Sequence, residues 1–185
     1  MDFGFKIVVS LKDKYIKEVI PRMKERFGYR NNLAVPKIEK VVVNTGIGQA
    51  IKEEKIQEEI SRDLALITGQ KPACRPAKKA ISAFKTRKGM IVGLMVTLRG
   101  QRMYDFLERL INIALPRSRD FRGLPEKSVD QNGNLTIGLK EQIIFPEISA
   151  EKARNIFGLE VTVVTTARSH EEGVVLLKLM GFPVK

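Results

Sequence analysis

Between Asp63 and Asp105 the chain has no acidic residue but nine basic ones: Lys71, Arg75, Lys78, Lys79, Lys85, Arg87, Lys88, Arg99 and Arg102. The whole chain of 185 residues carries a net charge of +12, so this window nearly accounts for the excess. Seven of the nine fall in Lys71–Lys88, KPACRPAKKAISAFKTRK, where apolar periodicity is weak. The chemistry such a stretch offers is phosphate binding. Each lysine or arginine can displace condensed counterions from a polyanion, and no carboxylate is interleaved to compete. The alternative is a solvated surface loop. All 21 acidic residues lie outside the window, and that exclusion favours the phosphate reading.

Four polar residues belong to the same setting. Asn44, Gln70, Thr97 and Arg99 stand at or near the ends of predicted strands. Amides and hydroxyls placed there can bond sugar hydroxyls and base edges while the cations hold phosphates. For Asn44 and Gln70, ordinary turn and strand-edge chemistry is an equal reading.

Other chemistries find no support. Gly46-Ile47-Gly48 follows a strand, as a dinucleotide loop does, but position 51 is Ile51 and the third glycine is missing; a strand-exit turn is the better reading. His170 is the only histidine; it is expected exposed in the first turn of the last helix. Cys74 is the only cysteine, which excludes an internal disulfide and a multi-cysteine zinc site. It is expected to be a small buried or half-buried residue. Glu53-Glu54 and Glu58-Glu59 read as solvated helix faces. Nothing assembles a nucleophile, a base and an orienting group. No catalytic residue, metal or cofactor is therefore expected, and the chain is read as not an enzyme.

Periodicity supplies the elements that must position these residues. Lys6–Phe27 is predicted helical, with Leu11, Tyr15, Ile16 and Val19 on one side, Gly28 as a stop, and Pro21 kinking it or opening a second helix. Lys37–Gly46 is a β-branched strand. Glu53–Thr68 is a helix with Ile56, Ile60, Leu64 and Ile67 as its stripe and Gly69 as its cap. A short strand is expected at Lys71–Arg75, then the basic loop, then a strand at Met90–Arg99. Gln101–Leu115 is a helix with Met103, Phe106, Leu107, Leu110 and Ile111 inward. Asn132-Gly133 marks a turn before a strand at about Asn134–Lys140. A helix should start at Ser149 and a strand run from Leu159 to Ala167. The last helix opens at Ser169 with Glu172 as a capping box and closes at Gly181. Mixed without strict alternation, these elements give an α+β fold with a largely antiparallel sheet. The chain reads as a single domain over 1–185, with the basic loop at about 72–89.

At 43% hydrophobic the chain can build a real core. The first residues, MDFGFKIVVSLKDK, do not resemble a signal peptide, and the longest apolar stretch, near Met90–Val96, is too short to span a bilayer. The expectation is a soluble intracellular protein with an anionic partner and no membrane association.

Several stretches, in order and spanning essentially the whole chain, resemble bacterial large-subunit ribosomal protein five. They are Val43 through Gly48 (VNTGIG), Ile67 through Pro72 (ITGQKP), Ala77-Lys78-Lys79 with Phe84-Lys85, Gly93 through Arg99 (GLMVTLR), Leu115 through Gly123 (LPRSRDFRG), Ile144 through Ile148 (IFPEI) and Gly181-Phe182-Pro183. PRSRDFRGL and EQIIFPEI are the specific ones. The resemblance implies an antiparallel sheet with helices packed on one side, and a structural role in the central protuberance of the large subunit. Implied partners are 5S rRNA, 23S rRNA, the P-site tRNA, a small-subunit head protein and other central-protuberance proteins; the implied location is cytoplasmic and ribosome-bound. Asn44, Gln70, Lys71, Thr97 and Arg99 are then the 5S rRNA-binding set. Lys78, Lys79, Lys85, Arg87 and Lys88 form the loop that reaches the tRNA. Arg117, Arg119 and Arg122 are candidates for the inter-subunit bridge, with rRNA phosphates or Asp120 as alternative partners. Arg75-Pro76 stands where the family carries Thr and then a basic residue, and Val129-Asp130-Gln131 stands where it often shows Phe-Asp-Gly, so no contact is carried over to Arg75 or Val129. A free-standing RNA chaperone or RNA-binding adaptor is the alternative function.

Overall fold

Three consecutive valines in a β-branched run specify the central strand. Its side chains alternate across the pleat, so one set is buried and the other is not. In the computed structural model, which describes residues 10–48, 53–84, 86–119, 121–149 and 155–185, this strand is β1, Ile38–Gly46. The others are β2 (Ala73–Pro76), β3 (Ile91–Leu98), β4 (Leu135–Leu139) and β5 (Leu159–Thr165). They form one sheet in the order β2-β3-β1-β5-β4, and every neighbouring pair is antiparallel. Val41, Val43 and Thr45 of β1 are buried. Register places them beside Leu98, Val96 and Leu94 of β3, and Val41 and Val43 beside Val163 and Val161 of β5. The buried face is the one the helices cover; the other face stays open.

The first helix (α1, residues 11–27) repeats its inward residues every four positions: Leu11, Tyr15, Val19, Met23 and Phe27, all buried or packed on the core. In a regular α-helix a spacing of four drifts by about 40° per step. The drift is taken out by a wider π turn at Tyr15–Val19, whose closing bond runs from Ile20 N–H to the Tyr15 carbonyl. Pro21 sits just after it, within a helix that neither stops nor restarts. The wider turn also places the missing N–H where no i−4 bond is needed. Ile16, expected inward, is 53% exposed, because the stripe stays at spacing four and leaves position 16 outside it.

The same arrangement recurs in α3. It starts at Gly100, runs through a π turn at Leu110–Ala114 and ends at Arg117, with Pro116 just past the widened turn. Helix α2 is Glu54–Thr68, closed by Gly69 at φ 67°. Helix α4 is His170–Met180, with Ser169 Oγ accepting from Glu172 N–H and Gly181 (φ 102°) as its stop. The Glu172 carboxylate accepts from Arg168 N–H at 2.8 Å and from Tyr29 Oη at 2.6 Å, which ties the end of α1 to the start of α4. Helix α3 lies against β1 and the start of α1, and α2 lies against β3 and α3.

Long polar clamps hold the irregular segments. Gln142 is fully buried; its Nε2 donates to the Asn155 carbonyl at 2.6 Å and its Oε1 accepts from Phe157 N–H at 2.9 Å. Asn155 Nδ2 in turn donates to Glu59 of α2 at 2.7 Å. Arg109 is ion-paired with Glu147 at 2.8 Å and donates to the Ile67 carbonyl at 3.0 Å, stitching α3 to the end of α2. Phe145 stacks on Phe106 with ring centroids 5.8 Å apart. The 130–134 turn is tied by Asp130, which accepts from the amides of Asn132 and Asn134 and from Asn134 Nδ2. Removal from solvent pushes the Asp130 carboxyl up, but those hydrogen bonds, with His170, outweigh it and hold it below its ordinary value. Gly133 (φ 78°) meets Gly173 of α4 so closely that a Cβ on Gly173 would lie 2.3 Å from the Gly133 Cα.

The α+β fold with a largely antiparallel sheet is as the pattern implies, and the helices on one side are as the family resemblance implies. The short strand lies at Ala73–Pro76 rather than 71–75. Ser149 is not helical; the residues that follow it, 150–154, and the start of the helix expected from Lys6 lie outside the described residues. Gln142→Ala would strip partners from the part-buried Asn155 carbonyl and the buried Phe157 N–H, and should destabilise the protein by about 1–3 kcal/mol in urea unfolding. A change below about 0.5 kcal/mol would mean the clamp is not needed.

Candidate nucleic-acid interface

The open face of the sheet follows from the parity of β1. Lys40, Val42 and Asn44 point away from the core. Asn44 sits between Met95 of β3 and Glu160 of β5, and Val42 sits between Thr97 and Thr162. The rows continue outward to Ala73 beside Met95, Gly138 beside Glu160, and Thr136 beside Thr162. The face therefore mixes short polar side chains (Asn44, Thr97, Thr136, Thr162) with Val42, Met95, Ala73 and the carboxylate of Glu160, and has Lys40 at one end.

Asn44 and Thr97 are thus brought onto one surface, in adjoining rows. Asn44 lies inside its strand rather than at the end, and its Nδ2 donates to Glu160 Oε1 at 3.4 Å. The Thr97 hydroxyl has no partner among the described residues. Gln70 Nε2 donates to the Thr97 carbonyl at 3.4 Å, in the stretch of β3 beyond the point where β2 begins. Arg99 follows β3 in extended backbone, φ −140° and ψ 163°, and pairs with Glu39 at 3.3 Å on the exposed surface. Lys71 is exposed beside Gln70. The five expected contact residues converge, two on the open face and three at its β3 end. Lys40, Thr162, Thr136 and Glu160 share the face and are absent from that set. Their signal is the alternation in LEVTVVT, which puts Glu160 and Thr162 opposite Leu159 and Val161.

The basic loop is an extension of the β2–β3 hairpin. Ala77 N–H donates to the Met90 carbonyl at 2.8 Å, Gly89 N–H to the Ala77 carbonyl at 3.0 Å, and Ile81 and Thr86 exchange bonds at 3.1 and 3.2 Å. Lys78, Lys79, Arg87 and Lys88 ride on this extension and are exposed or half-exposed; Lys85 lies outside the described residues. Lys78 and Lys79 flank an apolar cleft of ≈ 670 Å³ lined by Ile81 and Val92. Arg75 is in β2 itself, opposite Gly93, with Nη2 3.1 Å from Met95 Sδ.

Arg117, Arg119 and Arg122 form a separate site. With Phe121 and Lys140 they line a cleft of ≈ 690 Å³ between the end of α3 and the β4 edge. No described carboxylate lies within ion-pair distance of any of the three, and Asp120 is outside the described residues. Gly123, at φ 92°, closes this segment against the C-terminus, where Leu124 N–H donates to the Pro183 carbonyl at 2.8 Å.

Two expectations need correction. Cys74 is exposed, because β2 is an edge strand with every residue exposed. His170 is only partly exposed, with Nε2 3.4 Å from the Glu126 carbonyl. Gly46-Ile47-Gly48 is a strand exit, with Ile47 buried and its N–H bonded to Val92. No group of residues that could hold a metal occurs among the described residues.

Comparison with known proteins decides the family. The model of "Ribosomal protein L5" matches residues 31–87, and the model of the C-terminus of the same ribosomal family matches 91–184. The chain belongs to the ribosomal protein L5 family. It is 55% identical to the large ribosomal subunit protein uL5 of Dictyoglomus turgidum over 95% of this chain and 98% of that protein. It is 54% identical to the uL5 of Thermus thermophilus over 96% of this chain and 97% of that protein. It is also 54% identical to the uL5 of Desulforamulus reducens over 95% and 97%. As a member of the L5 family the chain is a structural constituent of the large ribosomal subunit and not an enzyme. Both matched segments contribute strands to the one sheet.

The hairpin extension has few backbone bonds among the described residues. Lys78, Lys79 and Ala80 donate to no described residue. Hydrogen exchange of the free protein should find their amides near the unprotected rate, while those of Val41 to Val43 in β1 are protected most. Protection at Lys78–Ala80 as strong as in β1 would show the loop to be fixed before it meets a ligand.

Proposed function

We propose that the chain is one domain that binds 5S rRNA through the β3 end of its open sheet face, in the cytoplasm as part of the large subunit. The observation that carries the reading is convergence. Asn44 and Thr97 share the open face, Gln70, Lys71 and Arg99 border it, and the hairpin extension leaves from the adjoining edge. Donors and acceptors of this kind suit ribose hydroxyls and unstacked base edges, and the flanking cations suit phosphates.

The cationic extension, with Lys78, Lys79, Lys85, Arg87 and Lys88, is proposed to reach the P-site tRNA. The arginine cleft of Arg117, Arg119 and Arg122 is proposed as the contact to a small-subunit head protein. Its guanidinium groups, which pair with no described carboxylate, equally suit phosphates of 5S or 23S rRNA or an acidic segment of a neighbouring central-protuberance protein.

Two measurements test the partition. Arg99→Ala should weaken 5S rRNA binding by about 1–3 kcal/mol in a filter-binding titration. A loss under about 0.5 kcal/mol, that of an ordinary surface change, would remove Arg99 from the site. Replacing Lys78–Lys88 by Asn-Gly links Ala77 to Gly89, residues hydrogen-bonded across the hairpin, through a two-residue turn. The shortened protein should hold 5S rRNA within roughly tenfold of the parent, because the sheet contacts remain. It should release P-site tRNA faster from reconstituted ribosomes, because the cations that reach its backbone are gone. Loss of 5S binding by a folded shortened protein would place the extension inside the 5S site.

A further inference from the structure

We infer that Glu160 is a positioning residue for RNA recognition: it fixes which way the Asn44 amide faces, and so which partner the sheet can accept there. The inference rests on the reading of the open face as the RNA surface. Glu160 stands on that face near the start of β5, in register with Asn44 of β1 on one side and Gly138 of β4 on the other. It is the one acidic residue in the paired rows of the open face. On a surface that would hold a polyanion, a carboxylate opposes phosphate binding, so simple charge attraction does not account for it.

Its geometry supplies a different role. A carboxylate only accepts hydrogen bonds, whereas an asparagine amide carries a donor end and an acceptor end. Glu160 Oε1 lies 3.4 Å from Asn44 Nδ2, a long contact that favours the NH₂ end of the amide turning to β5. Asn44 Oδ1, which bonds no described residue, is left as the atom offered to a ligand. The position then takes a donor, such as a ribose 2′-hydroxyl or a base amino or imino group, and disfavours a bare acceptor such as a phosphate oxygen. Gly138 beside Glu160 has no side chain to cover the carboxylate, and no described lysine or arginine is ion-paired with it. Phosphates are thereby directed to the borders, where Lys71 and Arg99 stand.

Glutamine at position 160 tests this, because it keeps the size of the side chain but can face Asn44 with either end. Full-length parent, Asn44→Ala, Glu160→Gln and the double variant are titrated with 5S rRNA and with an unrelated structured RNA of equal length, at one salt concentration. Thermal melting checks that each is folded. Glu160→Gln should lower the preference for 5S rRNA about tenfold, the worth of one hydrogen bond, while binding of the control RNA stays the same or tightens. The double variant should discriminate no worse than Asn44→Ala alone. In the free protein, the Asn44 side-chain NH₂ resonances should move on Glu160→Gln. If Glu160→Gln changes both affinities by the same factor, or lowers the preference equally when Asn44 is already alanine, Glu160 does not act through Asn44 and the inference fails. If Asn44→Ala itself keeps full preference, the reading of the open face fails and takes the inference with it.

Discussion

The register of β1 between β3 and β5 is the constraint on which the rest of this protein depends. Side chains alternate with a period of two, so a slip of one residue against either neighbour would exchange the buried and open faces. Val41, Val43 and Thr45 would turn out and Lys40, Val42 and Asn44 would turn in. The slip is prevented from both sides. Val41 and Val43 are each matched with a buried residue of β3 and of β5, and Thr45 Oγ1 donates to the Gly158 carbonyl at 2.8 Å just ahead of β5. Thr165, at the far end of β5, is pinned to the 130–134 turn by Oγ1 donating to the Gly133 carbonyl at 2.9 Å. The polar surface is thus specified by its apolar reverse.

Much of this is legible in the sequence, and the reasons are physical. The basic window shows because charge needs no structure to be counted. β1, β3, α2 and α4 show because their patterns are long and their ends carry glycine or a serine cap. The turn at Asn132-Gly133 shows because glycine alone suits its φ of 78°. Proline misleads: Pro21 reads as a kink or the opening of a second helix, yet it follows a π turn that absorbs it, as Pro116 follows the other. The exposure of Cys74 is hidden because pattern cannot tell an edge strand from a central one. Gln142 and Glu160 give no signal, since each acquires its role only from a partner distant in sequence.

The stretches that mark the family do a different job from the open face. Gln142, Phe145 and Glu147 of EQIIFPEI, Gly123 of PRSRDFRGL and Phe182 near the C-terminus are clamps, stacks, close approaches and core. They keep the frame. The open-face residues belong to less conspicuous alternating runs, because a surface that meets RNA needs only short polar side chains at fixed spacing. The sheet also leaves its two edges in different states. β2 is bracketed by Pro72 and Pro76, which cannot donate to an added strand, and it leads into the cationic extension. The β4 edge borders the arginine cleft.

The two π turns have a consequence for how the length of this chain can change over time. Each is, in effect, a single inserted residue held within a helix. Losing one residue from Tyr15–Val19 would shorten no loop. It would restore a regular helix and turn everything after it by about 100°, carrying Met23 and Phe27 off the core. Gain or loss of residues is absorbed far more readily in a surface loop than in these helices. Variation in length belongs outside them, and a one-residue gap falling inside them would signal a repacked helix rather than a trimmed one.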